Sequence, residues 1–178
     1  VIGTGMEIAK VWLPDGEKFA VITGRAIVDD GSDERDILVE GGADSSISSA
    51  PLVSPDQPLV LLVNKNTASA GELLAGALRD VKGATLVGER TFGKGRTQAV
   101  LPLEDGSSLL VTTAKFFTPS HEQVDGVGLT PQVTCIPEQL AKQSRSNGDS
   151  VLKDGQPISL LDDPCIQKAI RLLEEQFQ

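Results

Sequence analysis

The chain has no tyrosine, one tryptophan, one histidine, one methionine and two cysteines in 178 residues. Aromatic residues reach only 3%. A surface that stacks single-stranded bases on aromatic rings is therefore not expected. Cationic charge is also scarce. Sixteen Lys and Arg face twenty-five Asp and Glu, for a net charge of -9. Phosphate backbones are held by clustered Lys and Arg, so no nucleic-acid partner is expected. No run of about 18 apolar residues is present, which excludes a membrane-spanning helix by hydropathy. There is no recognisable signal peptide. The chain opens on Val1-Ile2-Gly3-Thr4-Gly5 without an initiator Met, and the expectation is a fragment lacking its upstream part.

With one histidine and two cysteines, a zinc site at ligand spacing cannot be assembled. Cys135 and Cys165 leave two readings open. They are two buried thiols, or one disulfide formed in an oxidising compartment.

Apolar residues make up 39% of the chain, enough for one domain with its own core. Met6 to Leu13 reads as a short helix ended by Pro14-Asp15-Gly16. Phe19 to Thr23, Arg25 to Val28 and Ile37 to Val39 read as strands, with Asp29 to Asp36 as an acidic turn. Gly41 to Ser49 is a Gly/Ser-rich loop. Pro58 to Asn64 is a continuous apolar run, the pattern of a strand buried on both faces. A helix from Ser69 to Asp80 follows, with Leu73, Leu74, Ala77 and Leu78 on one face. Ala84 to Val87 is the next strand, and the order suggests a parallel βαβ unit. Gly88 to Gly95 is a loop. Gln98 to Leu103 and Ser108 to Phe116 form a hairpin turning at Asp105-Gly106. A loop runs from Thr118 to Pro131, and Glu138 to Asp149 is polar. The last helix is capped by Asp163 with Pro164 at its first position, and Ile166, Ile170, Leu173 and Phe177 form its apolar stripe.

Ser69 lies between a buried strand and a helix, in Asn66-Thr67-Ala68-Ser69-Ala70-Gly71-Glu72. Ser69 with Glu72 fits a capping box, which is a purely structural role. The same position suits a nucleophile. The helix N-terminus offers free amides and a positive dipole end to a developing oxyanion. Small neighbours at 68, 70 and 71 admit a substrate backbone. Gly-x-Ser-x-Gly itself is absent. Two bases are conceivable: His121, in a Pro-containing loop, and Lys94, in Thr91-Phe92-Gly93-Lys94-Gly95. Gly88-x-x-x-x-Gly93-Lys94 also matches part of a P-loop. Gly95 stands where Ser or Thr should hold magnesium, and a strand follows where a helix should, so nucleotide binding is rejected.

Together these segments resemble the C-terminal processing, or tail-specific, proteases of the Ser–Lys type. The resemblance is carried by Gly5 to Leu13, Pro58 to Asp80, Val87 to Gly95, Ala114-Lys115-Phe116-Phe117-Thr118-Pro119 and Gly126-Val127-Gly128-Leu129-Thr130-Pro131. It implies an α/β fold with a crotonase/ClpP-like βαβ core, a mixed sheet and a short C-terminal helical extension. It divides the chain into an N-terminally truncated protease core, 1–133, and an extension, 134–178. It implies that Ser69 is the nucleophile and Lys94 its general base. Gln98 aligns with a residue that orients the lysine. An extended backbone from Lys94 to Gln98 would bring both to one face. The Ala70 amide would be one oxyanion donor. The family's second donor comes from a Gly pair just upstream of Val1, and a substrate-gripping PDZ domain precedes that pair; this chain contains neither. Pro131-Gln132 replaces a usual Pro-Asp, and Gly71 a common Ser.

The extension with its two cysteines resembles the cyanobacterial and chloroplast branch. That implies an extracytoplasmic setting, thylakoid lumen or bacterial periplasm. The implied substrates are proteins bound through their C-terminal tails, with a photosystem II core precursor as the expected target. No cofactor or metal is implied. A lysine base must be neutral, and a free lysine titrates near ~10.4, so work near neutrality asks for a shift of about 3 units, or roughly 4 kcal/mol. The alternative is a ligand-binding or scaffold relative of the same fold, which would be expected to lose Ser69 or Lys94.

Overall fold

A computed structural model describes residues 2–24, 34–39, 50–136 and 163–176. Two sheets divide the strands. Strands β1 (Lys18–Thr23), β2 (Glu34–Leu38), β5 (Arg96–Pro102) and β6 (Ser108–Phe117) form an antiparallel sheet in the order β2-β1-β6-β5. Strands β3 (Val60–Val63), β4 (Thr85–Gly88) and β7 (Val133–Thr134) form a parallel sheet in the order β3-β4-β7. Three helices complete the described chain: α1 (Ile2–Ala9), α2 (Ala70–Lys82) and α3 (Pro164–Gln176).

The β3–α2–β4 unit is parallel in register, Val60 facing Thr85 through Val63 facing Gly88. A parallel pair needs a crossover, and α2 supplies it. Helix α2 is apolar on two sides. Leu73, Ala77 and Leu78 join a core with Ala9, Leu13, Phe19, Ala20, Val39 and Phe116. Ala75 joins a second core with Val63, Leu86, Val124 and Leu129. Burying a side chain such as Leu78 stabilises the fold by about 2 kcal/mol. Gly83 ends the helix in the left-handed region, at φ 77°, and its amide returns to the Arg79 carbonyl.

Several local expectations shift. The first helix spans Ile2–Ala9 rather than Met6 to Leu13. Its Gly5 has only 3.2 Å between a notional Cβ and the Phe19 ring, so close packing favours glycine there over helix propensity. Glu34 to Asp36, read as part of an acidic turn, lie in β2 and pair with β1. Strand β3 is not buried on both faces, since Leu62 is 48% exposed. The buried stripe of α3 is Cys165 and Ala169, with Leu172 packed beside them, one position off the stripe read from Ile166, Ile170 and Leu173. Asp163 caps α3 as expected, its Oδ1 accepting the Cys165 and Ile166 amides at 2.7 and 3.2 Å. The expectations for 25–33, 40–49, 137–162 and Phe177 fall outside the described residues.

The cysteine question resolves as a disulfide between Cys135 and Cys165. The two cysteines form a buried cluster with Val87, and Val60, Val133 and Leu172 pack against it. The bridge fixes α3 against the parallel sheet, next to β7, a two-residue strand too short to signal itself in sequence.

Candidate active site

The turn from β3 into α2 is built by short polar side chains. Thr67 Oγ1 accepts the Asn64 amide at 3.1 Å, and Asn64 Oδ1 accepts the Asn66 amide at 2.9 Å. Side chains that bond nearby backbone in this way hold tight turns. The turn delivers Ser69 to the head of α2 at φ 52° and ψ -119°. This is not the extended conformation of an ordinary N-cap. Positive φ is uncommon outside glycine. Such strain collects at functional positions, and a strained strand-to-helix turn is the geometry that lifts a nucleophilic serine off a sheet.

The Ala70 amide opens α2 and has no main-chain acceptor among the described residues. It joins the positive end of a 13-residue helix, the environment expected to favour a developing oxyanion.

Lys94 follows Gly93 in the loop between β4 and β5. Two glycines let this loop lie against the 124–128 segment. Gly93 sits at φ 89°, with a notional Cβ 3.0 Å from the Gly128 nitrogen. At Gly95 a Cβ would collide with the Asp125 main chain. The loop is also tied to the Ser69 turn, because the Phe92 amide donates to the Thr67 carbonyl at 2.9 Å.

Ser69, Lys94 and Gln98 all line one open hollow of about 660 Å³. Ile2 and Gly3 of α1, Arg96, Val100 and Leu110 share its wall. Lys94, Arg96, Gln98 and Val100, at alternate positions along the chain, all line this hollow. Lys94 precedes β5, and the pairing of β5 with β6 shifts register between Thr97 and Gln98. Lys94 itself is exposed to solvent in the hollow.

His121, the single histidine, does not line the hollow. It stands at φ 65° in the turn after β6, its Nδ1 3.6 Å from Glu34 Oε1. The P-loop alternative fails on topology as well, since β5 begins two residues after Lys94 where a helix would be needed.

Sequence reasoning noticed Glu72 only as a capping residue. The structure buries its side chain completely and gives it partners from the lysine loop as well. Arg96 was also missed. Its Nε holds the buried Asp125 carboxylate at 2.8 Å while the side chain borders the hollow. Gln132, the departure from Pro-Asp, accepts the Leu86 amide of β4 at 2.8 Å through its side-chain oxygen.

Residues 3–135 match the profile of peptidase family S41. The chain belongs to peptidase family S41. Among S41 relatives it is 44% identical over 127 residues to carboxyl-terminal-processing peptidase 2, chloroplastic, of Arabidopsis thaliana, covering 71% of this chain and 22% of that protein. It is 38% identical over 175 residues to carboxyl-terminal-processing peptidase 3, chloroplastic, of the same plant, covering 98% and 30%. The solved photosystem II D1 C-terminal processing protease matches with a TM-score of 0.57 at 39% identity, over 78% of this chain and 32% of that one. An S41 protease structure from Bacteroides fragilis superposes with a TM-score of 0.68 at 12% identity, over 98% and 42%, and so shares the fold. The chain thus spans 22 to 32% of the length of the first three of these relatives.

Proposed function

We propose that this chain carries the nucleophile and base of a serine-type endopeptidase that cleaves proteins near their C-termini. The observation that carries the reading is Ser69, held at positive φ at the head of α2 and opening into the same hollow as Lys94. Membership of family S41 supports it. In this reading neutral Lys94 takes the Ser69 proton as the hydroxyl attacks a peptide carbonyl. The Ala70 amide receives the oxyanion. The leaving amine departs with a proton, and water then releases the acid from the acyl-enzyme. Gln98, which shares the hollow, orients Lys94. A peptide lying in the hollow covers the exposed Lys94 and removes water from around it, the condition a lysine base requires.

The relatives' names point to tail processing in chloroplasts and cyanobacteria. We extend that to protein tails as substrates here, a photosystem II core precursor among them, in a thylakoid lumen or periplasm. Residues 1–133 act as the protease core and 134–178 as its extension, with a PDZ domain upstream in the full natural protein. The test is cleavage of an unstructured peptide with an apolar tail, followed by mass spectrometry on the full natural length. Ser69→Ala and Lys94→Ala should each abolish cleavage. Turnover that survives either substitution contradicts the reading.

A further inference from the structure

Glu72 has 0% of its surface exposed. A carboxylate taken fully out of water is costly unless its lone pairs are satisfied. No cation pairs with Glu72 among the described residues. Four neutral donors surround it instead. Oε2 accepts the Ser69 amide and the Lys94 amide, both at 2.9 Å. Oε1 accepts the Gly93 amide at 2.7 Å and the Thr91 hydroxyl at 2.5 Å.

Helix capping accounts for one of these four bonds, the one to Ser69. The other three donors stand 19 to 22 residues further along the chain. They all lie in the loop that presents Lys94. A single oxygen atom therefore holds the main chains of both Ser69 and Lys94, and their two nitrogens lie within twice 2.9 Å of one another. The tie continues through Thr91. Its hydroxyl donates to Glu72 and accepts the Leu129 amide at 2.7 Å, which anchors the loop to the segment that Gly93 and Gly95 pack against. Lys94 has an exposed side chain, so little else fixes where its ammonium group can reach.

We propose that Glu72, with Thr91 as its second tie, is the positioning residue of the nucleophile–base pair. Its carboxylate sets the distance between Ser69 and Lys94 by holding both backbones on one anion. This rests on the reading of Ser69 and Lys94 as nucleophile and base. Glu72 does not touch substrate. It acts through the loop, so its loss should slow chemistry more than it weakens binding.

The test uses the full natural length of the protein. Glu72→Gln keeps the shape but turns an NH2 group toward two donors whichever way the amide faces. kcat should fall about 100-fold, the scale expected for a misplacement of about 1 Å, with KM changed less than about threefold. The pH at which kcat reaches half its plateau should move by about one unit or more, because the base is held differently. Thr91→Val should lower kcat about tenfold while Thr91→Ser restores it, the loss of one of two ties. If Glu72→Gln fails to fold, the Thr91 pair decides the matter. A merely structural Glu72 lowers the melting temperature and leaves kcat and its pH profile unchanged, which overturns the proposal. That outcome, with Ser69→Ala inert, removes the clamp alone. Activity retained in Ser69→Ala removes the nucleophile reading and the clamp with it.

Discussion

Ser69 at φ 52° and ψ -119° implies stored backbone strain that glycine would relieve. A side chain held in a sparsely populated φ/ψ region costs on the order of 1–3 kcal/mol. Replacing Ser69 with Gly removes the Cβ that causes this cost. Glycine also loses more chain entropy on folding, about 0.5–1 kcal/mol relative to alanine. At an N-cap, glycine is worse than serine by only a few tenths of a kcal/mol. The Glu72 bond to residue 69 is made through the main-chain amide, which glycine keeps. The balance favours Ser69→Gly by about 1 kcal/mol over Ser69→Ala, which retains the Cβ and the strain. Urea unfolding followed by circular dichroism would measure the difference, with equal m-values showing that the unfolded state is unaltered. In a chain of this size about 1 kcal/mol corresponds to roughly 2–4 °C in Tm. Both variants should be inactive. A Ser69→Gly protein less stable than Ser69→Ala would refute the claim that this turn is strained for function.

Acid should weaken the Asp80 network. Burial raises the Asp80 carboxyl, but hydrogen bonds from Arg79, Thr118 and Ser120 outweigh it and hold its pKa below the usual value. A carboxylate lowered in the folded state adds stability that is full above the unfolded value of about 3.9 and is lost as pH falls through the lower folded value. Asp80→Asn should therefore cost about 1–3 kcal/mol near neutrality, the worth of hydrogen bonds to a charged group, and flatten the acid limb of a stability-versus-pH curve. An unchanged acid limb would count against this assignment. Removing the disulfide by Cys135→Ala with Cys165→Ala reopens a chain segment with a sequence separation of 30. Loop-closure entropy puts that loss at about 2–4 kcal/mol in urea unfolding, and a loss below about 0.5 kcal/mol would show that the bridge does not anchor α3.

Much of this architecture is local, and local features are legible in sequence. The parallel β3–α2–β4 unit follows from an apolar run, a helix with one strong face and a second short run. The Asp105-Gly106 turn and the Asp163 cap are direct readings of turn and cap chemistry. The failures are tertiary. Helix α1 was misplaced because Gly3 and Gly5 argue against helix locally, whereas Gly5 is where α1 closes on Phe19 and Ala70. Strand β7 is too short for any periodicity. The α/β class was legible, but how its parallel and antiparallel strands group into two sheets is decided only by long-range pairing. Ser69, Lys94 and Gln98 were nameable through family resemblance. All three line one hollow, which Ser69 reaches from a separate turn that no local pattern brings near β5. Glu72 was visible as half of a capping box, but its three further donors are distant in sequence and leave no local pattern.

The central claim is that Ser69 is acylated with Lys94 as its base. Rapid-quench mass spectrometry with an activated peptide ester, on the full natural length near neutral pH, tests it most directly. The account predicts a transient acyl adduct on the proteolytic fragment containing Ser69. The adduct should be absent in Ser69→Ala, and in Lys94→Ala it should form at least about 100-fold more slowly, the scale of general-base loss. An adduct on another residue, or one that forms at the same rate without Lys94, would contradict it.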